Sequence, residues 1–164
     1  MYSEEENMNV LLTGGTGKVG QLLINDLNNA YNLTAISSSV DLTLPAPQNS
    51  YIFKDKEVVI HSARIRRKIR PLDRLETFYP EMDNINMTYN TLMLAKRNKV
   101  KLVILFSTVH ADEHNVYGWA SNAREQLGEV FNSDAMKVCY IRIGNIEKET
   151  RLFNAVRDII KIRT

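Results

Sequence analysis

The sequence has almost no cysteine. One thiol, Cys139, stands among 164 residues, which excludes an intramolecular disulfide and a zinc site built on cysteines. Long apolar runs are missing too, and none approaches the ~20 residues a helix needs to span a bilayer. Charge of one sign is also scarce. Lys and Arg number 21 against 19 Asp and Glu, a net charge of +2, too small to argue a nucleic-acid or membrane surface from charge alone. The opening residues, Met1-Tyr2-Ser3-Glu4-Glu5-Glu6-Asn7, carry acids where a secretory signal carries bases and an apolar stretch. They read as a disordered start up to Met8, on a chain expected in the cytoplasm. With 44% hydrophobic residues, residues 9–164 can bury one core and are short for two.

What is present is an alternation of two periods. Residues 9–13 are a short apolar run, read as a buried strand. Val19, Leu22, Leu23 and Leu27 then share one helical face. Residues 33–36 read as a second strand and residues 40–42 as a third, very short one. Pro45, Pro47, Asn49 and Ser50 mark a loop. Residues 58–61 are a buried strand, and residues 87–97 a helix with Leu92, Met93 and Ala95 inward. Residues 102–106 are five apolar residues in a row, expected in a central strand buried on both faces. Trp119, Ala123, Leu127 and Val130 fall on one helical stripe. Residues 138–143 are a strand, and Leu152, Val156, Ile159 and Ile160 one face of a last helix. Strand and helix in turn predict an α/β fold: a doubly wound parallel sheet of five or six strands, Rossmann-like, in a single compact domain.

Between the first strand and first helix stands Thr13-Gly14-Gly15-Thr16-Gly17-Lys18-Val19-Gly20. Gly14 permits a tight turn, Gly17 lets the backbone approach a pyrophosphate, and Gly20 lets the helix pack close to the sheet. The helix N-terminus adds free N–H groups for the phosphates. A phosphate loop of the Walker type needs Ser or Thr after its Lys, and Lys18 is followed by Val19. An acid at the end of the second strand often holds an adenosine ribose in such folds. Here that place reads Ile36-Ser37-Ser38-Ser39, so a 2′-phosphate is not repelled, while Asp41 nearby keeps NAD in play beside NADP.

The glycine loop resembles that of the extended and atypical short-chain dehydrogenase/reductases, the epimerase/dehydratase and uronate dehydrogenase group. Further segments resemble that family in its order: Val58-Val59-Ile60-His61-Ser62-Ala63, Asn84-Ile85-Asn86-Met87-Thr88-Tyr89-Asn90, Phe106-Ser107-Thr108, Tyr117-Gly118 with Glu125, and Arg142-Ile143-Gly144-Asn145. The resemblance implies that Gly14, Thr16, Gly17, Lys18, Val19 and Gly20 hold NAD or NADP. It places Ser37 or Asp41 at the adenosine ribose, and Ser62 and Ala63 beneath the cofactor. Tyr117 would exchange a proton with the substrate, Thr108 would bond the same oxygen, and Asn84 would support the site from a helix start. The implied chemistry is hydride transfer between the nicotinamide and a sugar or polyol carbon. A sugar nucleotide or sugar acid would be the substrate. A homodimer through the helices of Met87 and Trp119 is a further implication.

The chain departs from the family at one telling place. The Tyr-x-x-x-Lys pattern reads Tyr117-Gly118-Trp119-Ala120-Ser121, so Ser121 stands where the family has Lys. A hydroxyl supplies a hydrogen bond but no charge, so weak turnover is expected, and a non-catalytic dinucleotide-binding module is the alternative. Lys18 or an arginine of residues 64–74 is a candidate replacement. The loop between Thr108 and Tyr117 is short, and no small C-terminal substrate lobe is expected. Arg64, Arg66, Arg67, Lys68, Arg70 and Arg74 crowd one stretch, which reads either as an anion-binding loop or as a solvated basic one. It lacks the interleaved aromatics of a nucleic-acid surface. His110-Ala111-Asp112-Glu113-His114 spells a metal pattern but falls in a loop, without the one-helix geometry that chemistry needs. His61 is expected as a hydrogen-bonded core histidine, Cys139 as a buried small hydrophobe, and Trp119 as packing.

Overall fold

Unbroken apolar runs demand cover on both faces of a strand. In the computed structural model, which describes residues 7–44, 46–65, 75–144 and 149–164, β3 (Val58–His61) and β4 (Leu102–Thr108) meet that demand and are buried at every residue. β1 (Asn9–Thr13) is buried except at Asn9. β2 (Asn32–Ile36) and β5 (Lys137–Ile143) are partly exposed, and they form the edges of one parallel sheet ordered β2-β1-β3-β4-β5. Register follows the side-chain alternation: Leu11 lies beside Val59, and Val59 beside Val103.

Helices divide between the two faces. α1 (Lys18–Ala30) and α5 (Glu149–Arg163) cover Val10, Leu12, Val58, Ile60, Leu102 and Ile104. α2 (Ser50–Phe53) and α3 (Leu75–Arg97) cover Leu11, Val59, Val103 and Leu105, with α4 (Val116–Phe131) packed beside α3. This is the doubly wound, Rossmann-like architecture, with five strands in one domain.

Several local expectations need correction. Residues 40–42 form no strand; Val40 N–H turns back to Ser37 O and Asp41 accepts from Thr43 N–H, so short polar side chains and local bonds replace sheet pairing. The expected loop at residues 45–50 holds a 3₁₀ turn over Ala46–Asn49 and leads into α2, which Ile52 and Phe53 anchor in the core. α3 begins at Leu75 rather than residue 87 and runs through Pro80. Its early buried face is polar, with Glu81, Asn84, Thr88 and Thr91 inside, so apolar periodicity misses it. Asn84 therefore lies within a helix and not at its start. Met93 is only half-buried, and Cys139 likewise. Met8 packs against the core and its carbonyl accepts from Asn32 N–H, while Asn7 is exposed; residues 1–6 of the expected disordered start lie outside the described residues. No described helix is long and apolar enough to cross a membrane.

Candidate functional site

The sheet order changes direction between β1 and β3, and ligands of open α/β sheets bind beyond the carboxyl ends of the strands at such a point. A cavity of about 960 Å³ opens there. Gly14 adopts φ +74°, and a Cβ on it would lie 2.6 Å from Ala63 Cα. Gly20 packs as closely: its Cβ would meet Gly14 O at 2.2 Å. Gly17 caps α1 without a side-chain acceptor, leaving the first N–H groups of the helix to a ligand. The chain fits a dinucleotide here: Thr16, Gly17, Lys18 and Val19 line one wall, and Ser62 and Ala63 line the floor. Ser62 Oγ donates to Thr13 O at 2.7 Å, tying that floor to the loop.

Ser37 and Ser38 line the far end of the same wall. Asp41 does not. Its carboxylate accepts from Thr43 N–H at 2.9 Å and Thr43 Oγ1 at 2.6 Å, and these bonds lower its pKa.

The opposite end of the cavity brings together Ser107, Thr108, Tyr117, Arg64 and Arg124. Thr108 Oγ1 accepts from His110 N–H at 3.2 Å. Ser107 Oγ donates to Glu125, which also accepts from Arg142 Nε at 2.9 Å and Nη2 at 2.8 Å. Arg142 continues to Asp112 at 2.7 Å, so α4, β4, β5 and the loop before α4 are tied by one charged network. Ser121 is fully buried, is not part of the cavity wall, and its Oγ has no hydrogen-bond partner among the described residues.

The cation near Tyr117 comes from elsewhere in the chain. Arg64 Nη1 donates to Tyr117 Oη at 3.1 Å, and its guanidinium lies 4.3 Å from the ring centroid. Arg64 Nη2 donates to Glu81 Oε1 at 2.7 Å, and Glu81 is wholly buried. Asn84 Nδ2 donates to Glu81 Oε2 at 3.1 Å, and Asn84 Oδ1 accepts from Ile65 N–H at 2.7 Å. Asn84 thus holds both the carboxylate and the backbone next to Arg64. Of the basic stretch, Arg66, Arg67, Lys68, Arg70 and Arg74 lie outside the described residues, as does Asn145.

Sequence reasoning passed over Glu81 and Arg124. Glu81 carried no signal, because a buried acid inside α3 looks like any charged helix residue. Arg124 had one: it follows Tyr117 by seven residues, the spacing that returns a helix to the same face. His61 is a buried core histidine, as expected. Its Nδ1 lies 2.8 Å from Thr13 Oγ1, and burial, then the nearby Arg124 charge, lower its pKa to about 3. His110 pairs with Glu113 at 2.6 Å on the exposed loop.

Among solved structures, the fold is similar to Pen from Bacillus thuringiensis, with 21% identity and a TM-score of 0.69 over 88% of this chain and 52% of that one. UDP-N-acetylglucosamine 4-epimerase from Bacillus cereus is similar at 20% identity and a TM-score of 0.66, over 83% and 53%. A mutated uronate dehydrogenase is similar at 18% identity and a TM-score of 0.70, over 95% and 69%. The chain spans about half the length of the first two. No curated protein sequence matches it. Residues 10–147 match the NAD dependent epimerase/dehydratase family, and with its glycine loop and Tyr117 at the two ends of one cavity the chain belongs to that family.

Proposed function

We propose that this chain binds a nicotinamide dinucleotide and passes a hydride between it and a sugar or related polyol carbon, with Tyr117 as the acid–base group. The observation that carries this reading is the Arg64 guanidinium on the Tyr117 hydroxyl at 3.1 Å. It supplies the positive charge that Ser121 cannot, and so favours an oxidoreductase over a binding module that lost its chemistry.

The roles follow from position. The N–H groups at the start of α1, with Gly14 and Gly17 beside them, hold the pyrophosphate. Lys18 and Val19 flank it, while Thr16, Ser62 and Ala63 complete the cradle. Gly20 keeps the helix close enough for that contact. Ser37 and Ser38 face the adenosine ribose, and Asp41 is engaged with Thr43, so NADP is the proposed cofactor and NAD the weaker one. When bound, the nicotinamide supplies or takes up the hydride. Tyr117 gives or accepts the proton at the substrate oxygen, and Thr108 donates to the same oxygen. Negative charge developing on the phenolic oxygen faces Arg64, a preorganised cation. Glu81 and Asn84 position Arg64. Ser121, buried outside the cavity wall, takes no direct part.

A second copy of the chain is the partner proposed for the outer face of α3 and α4. Phe78 stacks on Trp119 at 6.1 Å, and Tyr79, Trp119 and Val130 are 69%, 50% and 78% exposed. Exposed large apolar side chains grouped together, as Phe78, Tyr79 and Trp119 are, mark an interaction surface. Sedimentation should show a dimer that Trp119→Ser weakens.

The test of function is a titration with NADPH and NADH. Both should raise the melting temperature, NADPH more. Gly17→Asp sets a carboxylate against the pyrophosphate and should abolish the shift without unfolding the chain. Absence of any shift at millimolar cofactor in the unmodified chain would sink the reading.

A further inference from the structure

One guanidinium on the cavity wall has no hydrogen-bonded anion among the described residues. Arg124 lies one turn beyond Ser121 on α4, and helical side chains lean toward the N-terminus, which directs it back toward the Ser121 turn and the Tyr117 end. It lines the cavity, yet it is only 7% exposed. Its Nε is buried without a partner, and it donates no hydrogen bond to any described residue. The charges around it are Arg64, which repels it, and Glu81, Tyr117 and Glu125, which attract it. Both acids are already engaged, Glu81 by Arg64 and Asn84, Glu125 by Ser107 and Arg142. Burial first, and then Arg64, lower the guanidinium pKa to about 10.

A buried ion without a hydrogen-bonded counter-ion destabilises a fold. Places where a chain breaks such a rule tend to be functional. We propose that Arg124, with Arg64 beside it, binds a carboxylate on the substrate, so that this site takes an anionic sugar or hydroxy acid in preference to a neutral one. Charge selects the carboxylate over a phosphate. Arg64 pairs with Glu81, and Arg142 is shared by Glu125 and Asp112, so Arg124 is the one guanidinium lining the cavity without an ion pair among the described residues. A carboxylate matches it, whereas a phosphate monoester carries about −1.5 to −2 at neutral pH. Guanidinium and carboxylate also share a planar, two-pronged geometry. The proposal deepens the oxidoreductase reading and rests on it.

The experiment is a calorimetric titration of the full chain, free and saturated with NADPH, using glucuronate, glucose and glucose 6-phosphate. Glucuronate should bind at least about tenfold tighter than either of the others. Arg124→Met should remove that advantage, leave NADPH affinity within about twofold, and raise the melting temperature, because an uncompensated buried charge is gone. Arg124→Lys should keep part of the preference, and it carries the test if the Met variant fails to fold. Equal affinity for glucuronate and glucose, including binding of neither, overturns the proposal. So does a preference for the phosphate, or a loss of NADPH affinity in Arg124→Met as large as the loss for glucuronate, which would make Arg124 a cofactor residue. Failure of the unmodified chain to bind NADPH and NADH overturns the functional reading instead, and the titration of the free chain still reads the carboxylate subsite.

Discussion

α1 and α4 flank the same sheet on opposite faces, and they bury opposite kinds of side chain. α1 buries Gly20, Leu23 and Leu27, an apolar stripe in line with its periodicity. α4 buries Gly118, Ala120, Ser121, Arg124, Glu125 and Gly128, while Trp119 and Val130 of its apolar stripe face outward. Trp119, expected as packing on that stripe, is thus half exposed against Phe78. Apolar periodicity finds the face of a helix that avoids water, and water is avoided equally in a core or against another protein surface. The buried polar face of α4 exists because β4, β5 and α3 offer it partners: Ser107 and Arg142 for Glu125, and the cavity for Arg124.

The comparison can be broken hardest at Tyr117, on the polar face of α4. Tyr117→Phe should lower turnover by roughly 10²–10⁴-fold, about 3–5 kcal/mol of barrier, with little change in melting temperature. Unchanged single-turnover rates would deny Tyr117 the acid–base role and, with it, the functional meaning of that face. A second arm compares glycines on the two helices. Gly20→Ala drives a Cβ to 2.2 Å from Gly14 O and 2.7 Å from Gly15 Cα, both backbone atoms that cannot yield, and should cost about 3 kcal/mol. Gly128→Ala meets only the ends of Leu105 and Val138 side chains, at 3.0 and 3.2 Å. Its gain in helix propensity offsets that push, so denaturant midpoints should place it within about 1 kcal/mol of the parent. Reversed magnitudes would show that α1 sits more loosely than its contacts imply.

The smallest effect is in pH. His61 is neutral in the fold with a pKa of about 3, against 6.5 in an unfolded chain. Between these values the unfolded chain binds a proton that the native one does not, so stability is intact above 6.5 and falls as pH drops toward 3. At pH 5.5 the loss should be about 1.4 kcal/mol. His61→Gln should flatten this part of an acid-denaturation profile. An unchanged slope would assign the acid sensitivity to other groups.

The sheet and the glycine loop were legible because each depends on neighbours in sequence. Residues 102–106 are apolar on both sides wherever they fold, and the glycines between β1 and α1 are read together with the strand and helix that flank them. The start of α3 was not legible, since Glu81, Asn84, Thr88 and Thr91 look like a solvated face. The turn that replaces a strand at residues 40–42 depends on Asp41 bonding Thr43 N–H rather than on hydropathy. Tyr117 and the vacant Lys position were both visible in the sequence. What the vacancy meant was not, because the cation beside Tyr117 comes from position 64.

The sequence by itself determined the order of strands and helices, the parallel sheet, the dinucleotide loop and the replacement of a lysine by Ser121. These rest on local periodicity and local steric demands, which act over a few residues. Only the tertiary structure decided that Arg64 reaches Tyr117 across 53 residues, that Glu81 and Asn84 hold it there, and that Arg124 faces the same cavity without a hydrogen-bonded partner among the described residues. Charges act through space rather than along the chain, so their partners exist only once β3, α3 and α4 have been brought together.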